Sequence, residues 1–287
     1  SDSGDGAGFG RVLMSQVAAK GSSVDRERYR RDGIVFPIPV LSEAETRRFR
    51  AESDLLEQRL GGKPRTVEVR QMHLHFPWAY ELAVHPEILD AVEDVLGPNI
   101  LVWATELFTK HPHDQEVSIG WHRDRPYMGF EGGETVTAWV ALADSIPTNG
   151  CLRAIPEVDR RPSERPSQGQ HAKLRPTAVE VDEEKAIDVV LKAGEMSLHD
   201  ADIIHGSGPN QSDLKRVGFV IRYVTPEVRP REGRPLAVLV RGEDTRGYFE
   251  PVRQPVERDA EEALRSMQES ARQHFEAMLA NVKARRR

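Results

Sequence analysis

At 287 residues, with 38% hydrophobic and 30% charged residues and a formal net charge of −6, the chain has the make-up of a soluble globular protein with a core of ordinary size. That balance argues against nucleic acid, whose binding needs a concentrated positive field, and no run approaches the roughly 18 apolar residues of a membrane span. A single cysteine, Cys151, excludes an internal disulfide and any cysteine-rich zinc or iron–sulfur site, so a bound metal would be held by nitrogen and oxygen.

The opening SDSGDGAGFG has neither the charged start nor the apolar stretch of a signal peptide, and a cytoplasmic location is the expectation. Residues 1–23 are rich in Gly, Ser and Ala without a period and read as a mobile tail; one domain is expected over residues 24–252. Ser42 followed by Glu45 has capping-box spacing, which predicts a helix from Ser42 to about Leu60. A second helix is predicted over Pro86–Leu96, where Ile88, Leu89, Val92, Val95 and Leu96 form one apolar stripe and Gly97-Pro98 ends it. From residue 99 the period changes. NILVWATELF, ETVTAWVALA, DVVLKAGEMSLH and RVGFVIRYV are short apolar or alternating runs between Gly, Pro, Asn and Asp clusters, the pattern of an antiparallel sandwich or barrel. Residues 156–184 are polar and aperiodic and read as a long inserted loop, a candidate lid. From Arg253 the pattern is helical again, and Ala260, Leu264, Met267, Ala271, Phe275, Met278 and Val282 share one face. Such a face is expected to dock on the domain; the other use is a dimer contact, leaving a monomer or a homodimer.

Chemistry enters at WHRDRPYMGF. On an extended segment His122 and Asp124 would point to one side, where both could bind one metal ion. A third ligand has two candidates, His199 and His205, both in GEMSLHDADIIHGSGPN at the end of an apolar strand. The remaining histidines read differently: His111, His113, His171 and His274 as surface residues and His85 as a helix boundary. Two imidazoles and one carboxylate make the facial triad of non-haem iron(II) oxygenases, although zinc accepts the same set. Beyond the turn GSGPNQSDLK, Arg216 starts RVGFVIRYV. The turn is expected to return that strand alongside the histidines, so that the guanidinium grips a carboxylate deeper in the barrel. A zinc hydrolase has no evident use for this; an oxygenase with a dicarboxylate cosubstrate does.

WHRD, GEMSLHDADIIHGSGPN and Arg216, in this order and spacing, resemble the phytanoyl-CoA dioxygenase family of iron(II)- and 2-oxoglutarate-dependent oxygenases. The likeness extends to HLHFPWAYELAVHPEILDAVEDVLGPNI, ETVTAWVALADSIPTNGCLRAIP and RYVTPEVR, hence over about residues 25–250. It implies a double-stranded β-helix, a mainly β jelly roll of the cupin kind with helices packed on one sheet. It also implies iron ligands His122, Asp124 and His205, with His199 beside them, and a cosubstrate site of Arg216, Ser207, Trp139 and Thr137. The cofactors implied are Fe(II), 2-oxoglutarate and dioxygen, and the reaction oxidises an unactivated C–H bond of a small metabolite or natural-product intermediate. Related halogenases carry a small residue where this chain has Asp124, so hydroxylation is favoured, with cyclisation or desaturation open. Arg123 and Arg125, flanking Asp124 on an exposed strand end, and His73, on the alternating segment QMHLHF, are candidate substrate contacts, each weighed against a solvated, salt-bridged or structural role. Two rivals are an inactive jelly-roll protein that binds a small molecule and a zinc-dependent hydrolase.

Overall fold

The computed structural model describes residues 24–156, 179 and 181–284. The N-terminal segment 1–23, most of the candidate lid and His171 lie outside the described residues.

The strands run β1 Ile34–Pro39, β2 Ile100–Lys110, β3 Ile119–His122, β4 Phe130–Glu131, β5 Thr135–Ala141, β6 Leu152–Ile155 and β7 Ile187–Val189. They continue as β8 Glu195–Asp200, β9 Ile204–Ser207, β10 Arg216–Val224, β11 Arg229–Pro230, β12 Leu236–Arg241 and β13 Glu250–Pro251. A seven-stranded sheet has the order β1-β8-β5-β10-β2-β12-β13, and a four-stranded sheet has the order β3-β9-β6-β7. The two close into a jelly roll. Between them pack Ile34, Trp139, Leu152, Ala154, Ile203 and Val220.

Alternation along β5 and β10 explains why both strands are buried throughout. Val136, Ala138 and Val140 of β5, with Val217, Phe219, Ile221 and Tyr223 of β10, join the cluster under the helices. The opposite set, Thr137, Trp139, Arg216, Val220 and Arg222, lines the interior of the roll. An apolar outer face and a partly polar inner face are what a strand needs when helices cover one side and a site occupies the other.

The helices are α1 Arg26–Asp32, α2 Glu43–Arg59, α3 Pro77–Ala83, α4 Pro86–Leu96, α5 Arg125–Met128 and α6 Ala260–Ala284. In α2 the predicted capping box is present, Ser42 and Glu45 each bonding the other's backbone N–H. Helix α4 buries Ile88, Leu89, Ala91, Val92 and Val95 against the large sheet, each large aliphatic side chain contributing about 1.5–3 kcal/mol. No described helix is long and apolar enough to cross a membrane.

Four local expectations are corrected. DVVLKAGEMSLH is two strands in different sheets, β7 and β8, because Gly194 turns the chain at φ 92°. The terminal helix starts at Ala260 rather than Arg253. QMHLHF is not extended: Gln71 is left-handed and Met72–Leu74 form a 3-10 turn. Arg216 does not return beside the histidine strand, since β9 belongs to the small sheet and β10 to the large one. The connection crosses the roll, held by Asn210 Nδ2, which donates to the carbonyls of Lys110 and Leu214.

Candidate metal centre and cosubstrate pocket

His122 and His205 face each other as a registered pair across β3 and β9, with ring centroids 4.3 Å apart. Asp124 reaches them by a route the extended reading did not foresee. The chain leaves β3 at His122, and Asp124 takes right-handed helical geometry as the N-cap of α5, its N–H bonded to the Ala201 carbonyl. The three buried side chains each offer a ligand atom within 4.8 Å of the others. His122 Nε2 and His205 Nε2 lie 3.5 and 3.9 Å from Asp124 Oδ1.

Both imidazole tautomers are set by the backbone. His122 Nδ1 donates to the Gly120 carbonyl and His205 Nδ1 to that of Ile203, because a carbonyl oxygen only accepts. In this tautomer of the neutral ring each Nε2 presents a lone pair to the shared space. Burial pushes His205 well below the ordinary histidine value, which keeps it neutral. Burial alone would raise Asp124; Arg222 and, after it, the two histidines together outweigh burial and hold the carboxyl well below its usual value. Arg222 sits 3.3 Å from Asp124 Oδ2 and leaves Oδ1 for the centre. Two imidazoles and an ionised carboxylate fit iron(II). His199 lies beside them, its ring 5.0 Å from that of His205, but it does not join the cluster of donors.

Behind Asp124 runs a buried chain of charge. Arg222 pairs with Glu106 at 2.9 Å, and Glu106 also binds Arg70. The sequence reading missed Arg222, Glu106 and Arg70. One signal was available: in RVGFVIRYV, positions 216 and 222 share a strand face, so both arginines had to enter the roll.

The donors open on a cavity of about 300 Å³. Its polar end is formed by Arg216, Ser207 and Thr137, with Trp139 as a wall. Arg216 lies 5.4 Å from the Trp139 ring, donates to the Gly150 carbonyl and, among the described residues, leaves its Nε without a partner. The Thr137 hydroxyl also has no partner. Trp139 can lie where it does because residue 218 is glycine: a Cβ there would come within 2.0 Å of the indole. Gly218→Ala is therefore expected to destabilise the fold by about 1–3 kcal/mol through overpacking and to weaken cosubstrate binding as the indole is displaced. Thermal melting and ligand titration check the two effects; an unchanged melting temperature would contradict this account of the glycine.

The opposite wall comes from α6, through Phe275, Met278 and Leu279, and from Thr66 and Val67. This helix docks on the domain and also encloses the cavity, which its spacing could not reveal. His274 on the same helix was expected at the surface; instead its ring packs 4.9 Å from Trp103 and bonds Gln71. His111 is also partly buried, 3.6 Å from Glu57. The candidate substrate contacts lie elsewhere. His73 is buried and bonds Thr105 Oγ1, Arg123 binds the Asp202 carbonyl, and Arg125 pairs with Asp202 beside a separate cavity; none lines the pocket. The strand end that was to present both arginines is folded into α5, which directs them to Asp202.

A jelly roll with two imidazoles and a carboxylate converging beside a cationic pocket is an arrangement able to hold a metal ion and an anionic ligand together. The phytanoyl-CoA dioxygenase family model matches residues 29–218, and the chain belongs to that family. Peroxisomal phytanoyl-CoA dioxygenase of Homo sapiens is 30% identical over 150 residues, covering 50% of this chain and 44% of that protein. The chain spans about half the length of the curated relatives it matches. Among solved structures, the non-heme monooxygenase ThoJ is 34% identical, with a TM-score of 0.74 over 90% of this chain and 99% of its own. SnoN, an alpha-ketoglutarate-dependent epimerase from nogalamycin biosynthesis, is 26% identical with a TM-score of 0.60, covering 72% of this chain and 84% of its own.

Proposed function

We propose that this protein is an iron(II)- and 2-oxoglutarate-dependent oxygenase acting on an unactivated C–H bond of a small molecule, hydroxylation being the favoured outcome. The observation that carries the reading is the pairing of a buried two-histidine, one-carboxylate cluster with an unneutralised arginine at the far end of the same cavity. His122, Asp124 and His205 would hold iron(II). Held there with 2-oxoglutarate and dioxygen, the metal would supply chemistry able to take hydrogen from carbon, one oxygen atom of dioxygen going into succinate as the 2-oxo acid loses carbon dioxide.

The chain does the rest. Arg216 and Ser207 hold the distal carboxylate, and Trp139 and Thr137 confine the cosubstrate chain. Phe108, Ile119, Leu152 and Val220 add apolar surface to the lining of the same cavity and exclude water. Phe275, Met278 and Leu279 offer an apolar surface to the substrate. Asp124 would take the place at the metal that a small residue would leave to chloride, which favours hydroxylation over halogenation. SnoN, an epimerase, has been solved with Fe3+, alpha ketoglutarate and nogalamycin RO, so this architecture serves more than one outcome.

Anaerobic titration of the iron(II)-loaded protein with 2-oxoglutarate tests the reading. A weak visible charge-transfer band should appear and saturate, and admitting oxygen should yield succinate. With iron bound and no band, the oxygenase reading fails and an inactive binding protein or a zinc hydrolase takes its place.

A further inference from the structure

Lys110, the last residue of β2, is fully buried and pairs in register with Arg216 on β10. An ammonium has three donors, and Lys110 uses all of them on uncharged oxygens: the Gly150 carbonyl at 3.2 Å, Ser207 Oγ at 2.7 Å and the Gly208 carbonyl. Arg216 shares the Gly150 carbonyl. Among the described residues neither cation has a carboxylate partner. Two like charges placed side by side in a protein interior are costly unless an anion joins them. The burial is enforced by Gly150, at φ 73°, where a Cβ would strike the Gly208 carbonyl at 2.4 Å. Only glycine lets the two loops close over the ammonium.

Ser207 links this lysine to the pocket. A hydroxyl has one proton and two lone pairs. Because Lys110 occupies a lone pair from behind, the proton is left for an acceptor in the cavity that Ser207 lines. An adjacent positive charge also makes the hydroxyl a stronger donor. We propose that Lys110 is a positioning residue for the cosubstrate: it orients the Ser207 hydroxyl towards the distal carboxylate and adds a second positive charge behind Arg216. This rests on the oxygenase reading above. Without an anion, burial, with Arg216 second, pushes the lysine down to about 6, so the charged form that makes all three bonds is the form a bound distal carboxylate would favour.

A double-mutant cycle tests it. The dissociation constant of 2-oxoglutarate is measured anaerobically from the charge-transfer band for the wild-type protein, Lys110→Met, Ser207→Ala and the double variant. Nickel(II) affinity and thermal melting serve as controls. Lys110→Met should weaken 2-oxoglutarate about tenfold or more with nickel(II) affinity unchanged, and Ser207→Ala should have much less effect in the Lys110→Met background. Additive losses, or equal losses of nickel(II) and 2-oxoglutarate, would show a lysine that only supports the fold and overturn the proposal. Should Lys110→Met fail to fold, Lys110→Gln, which retains a donor without the charge, is read by the same criteria. A wild-type protein that binds iron but shows no band removes the oxygenase reading itself; a normal wild-type band with no change in the lysine variants removes only the role of Lys110.

Discussion

Asp124→Ala is expected to lower iron(II) affinity by more than about 100-fold, since loss of a mere supporting hydrogen bond at a metal site costs roughly 10–100-fold. Only Asp124 brings a negative charge to the donor cluster; the other two ligands are imidazoles. The fold should survive the change, because Arg222 keeps its pair with Glu106 when Asp124 is removed. Asp124→Asn keeps the volume but not the charge, and its amide cannot satisfy both neighbours: an oxygen turned to the metal sets NH₂ against the Arg222 guanidinium. Both variants should therefore lose iron in equilibrium dialysis while circular dichroism stays native. Retention of iron at wild-type affinity by either would remove Asp124 from the centre.

The second large effect has opposite signs in binding and stability. Arg216→Met should weaken 2-oxoglutarate roughly 100-fold, in the range of 2–5 kcal/mol for truncating one partner of a buried charge pair. In the protein without ligand, the same change should leave thermal stability unchanged or raise it. Arg216 is 2% exposed, and burial draws its value down to about 10. Removing that uncompensated charge relieves a desolvation cost, and methionine fills similar space beside Trp139. A cationic side chain kept at a cost to the fold is the mark of a binding group. If the variant bound 2-oxoglutarate as well as the wild type, or unfolded like a core truncation, Arg216 would have a structural role instead.

Much of this was readable in one dimension. Helices α2 and α4 announce themselves by a capping box and an apolar stripe, both of which act within a few residues. His122, Asp124 and His205, singled out from WHRD and GEMSLHDADIIHGSGPN, do converge, and the family resemblance rather than local spacing chose His205 over His199. What failed did so through conformation. Asp124 was placed on a strand, yet it caps a four-residue helix and meets the histidines from another direction. Arg123 and Arg125 looked available for substrate, but that same turn directs them to Asp202.

Local pattern by itself determined the strand-rich class, the flanking helices and the residue types of the centre, because periodicity and side-chain chemistry are properties of neighbours in sequence. Only the tertiary structure decided which groups face one another. Lys110 meets Ser207 across 97 positions, Arg222 meets Asp124 across 98, and α6 brings Met278 to Arg70 across 208. These contacts depend on how two sheets close and where the last helix lies, and no local spacing records that closure. The buried charges of the pocket are tolerated only because the closed roll supplies partners for some of them and leaves the Lys110–Arg216 pair to an anion.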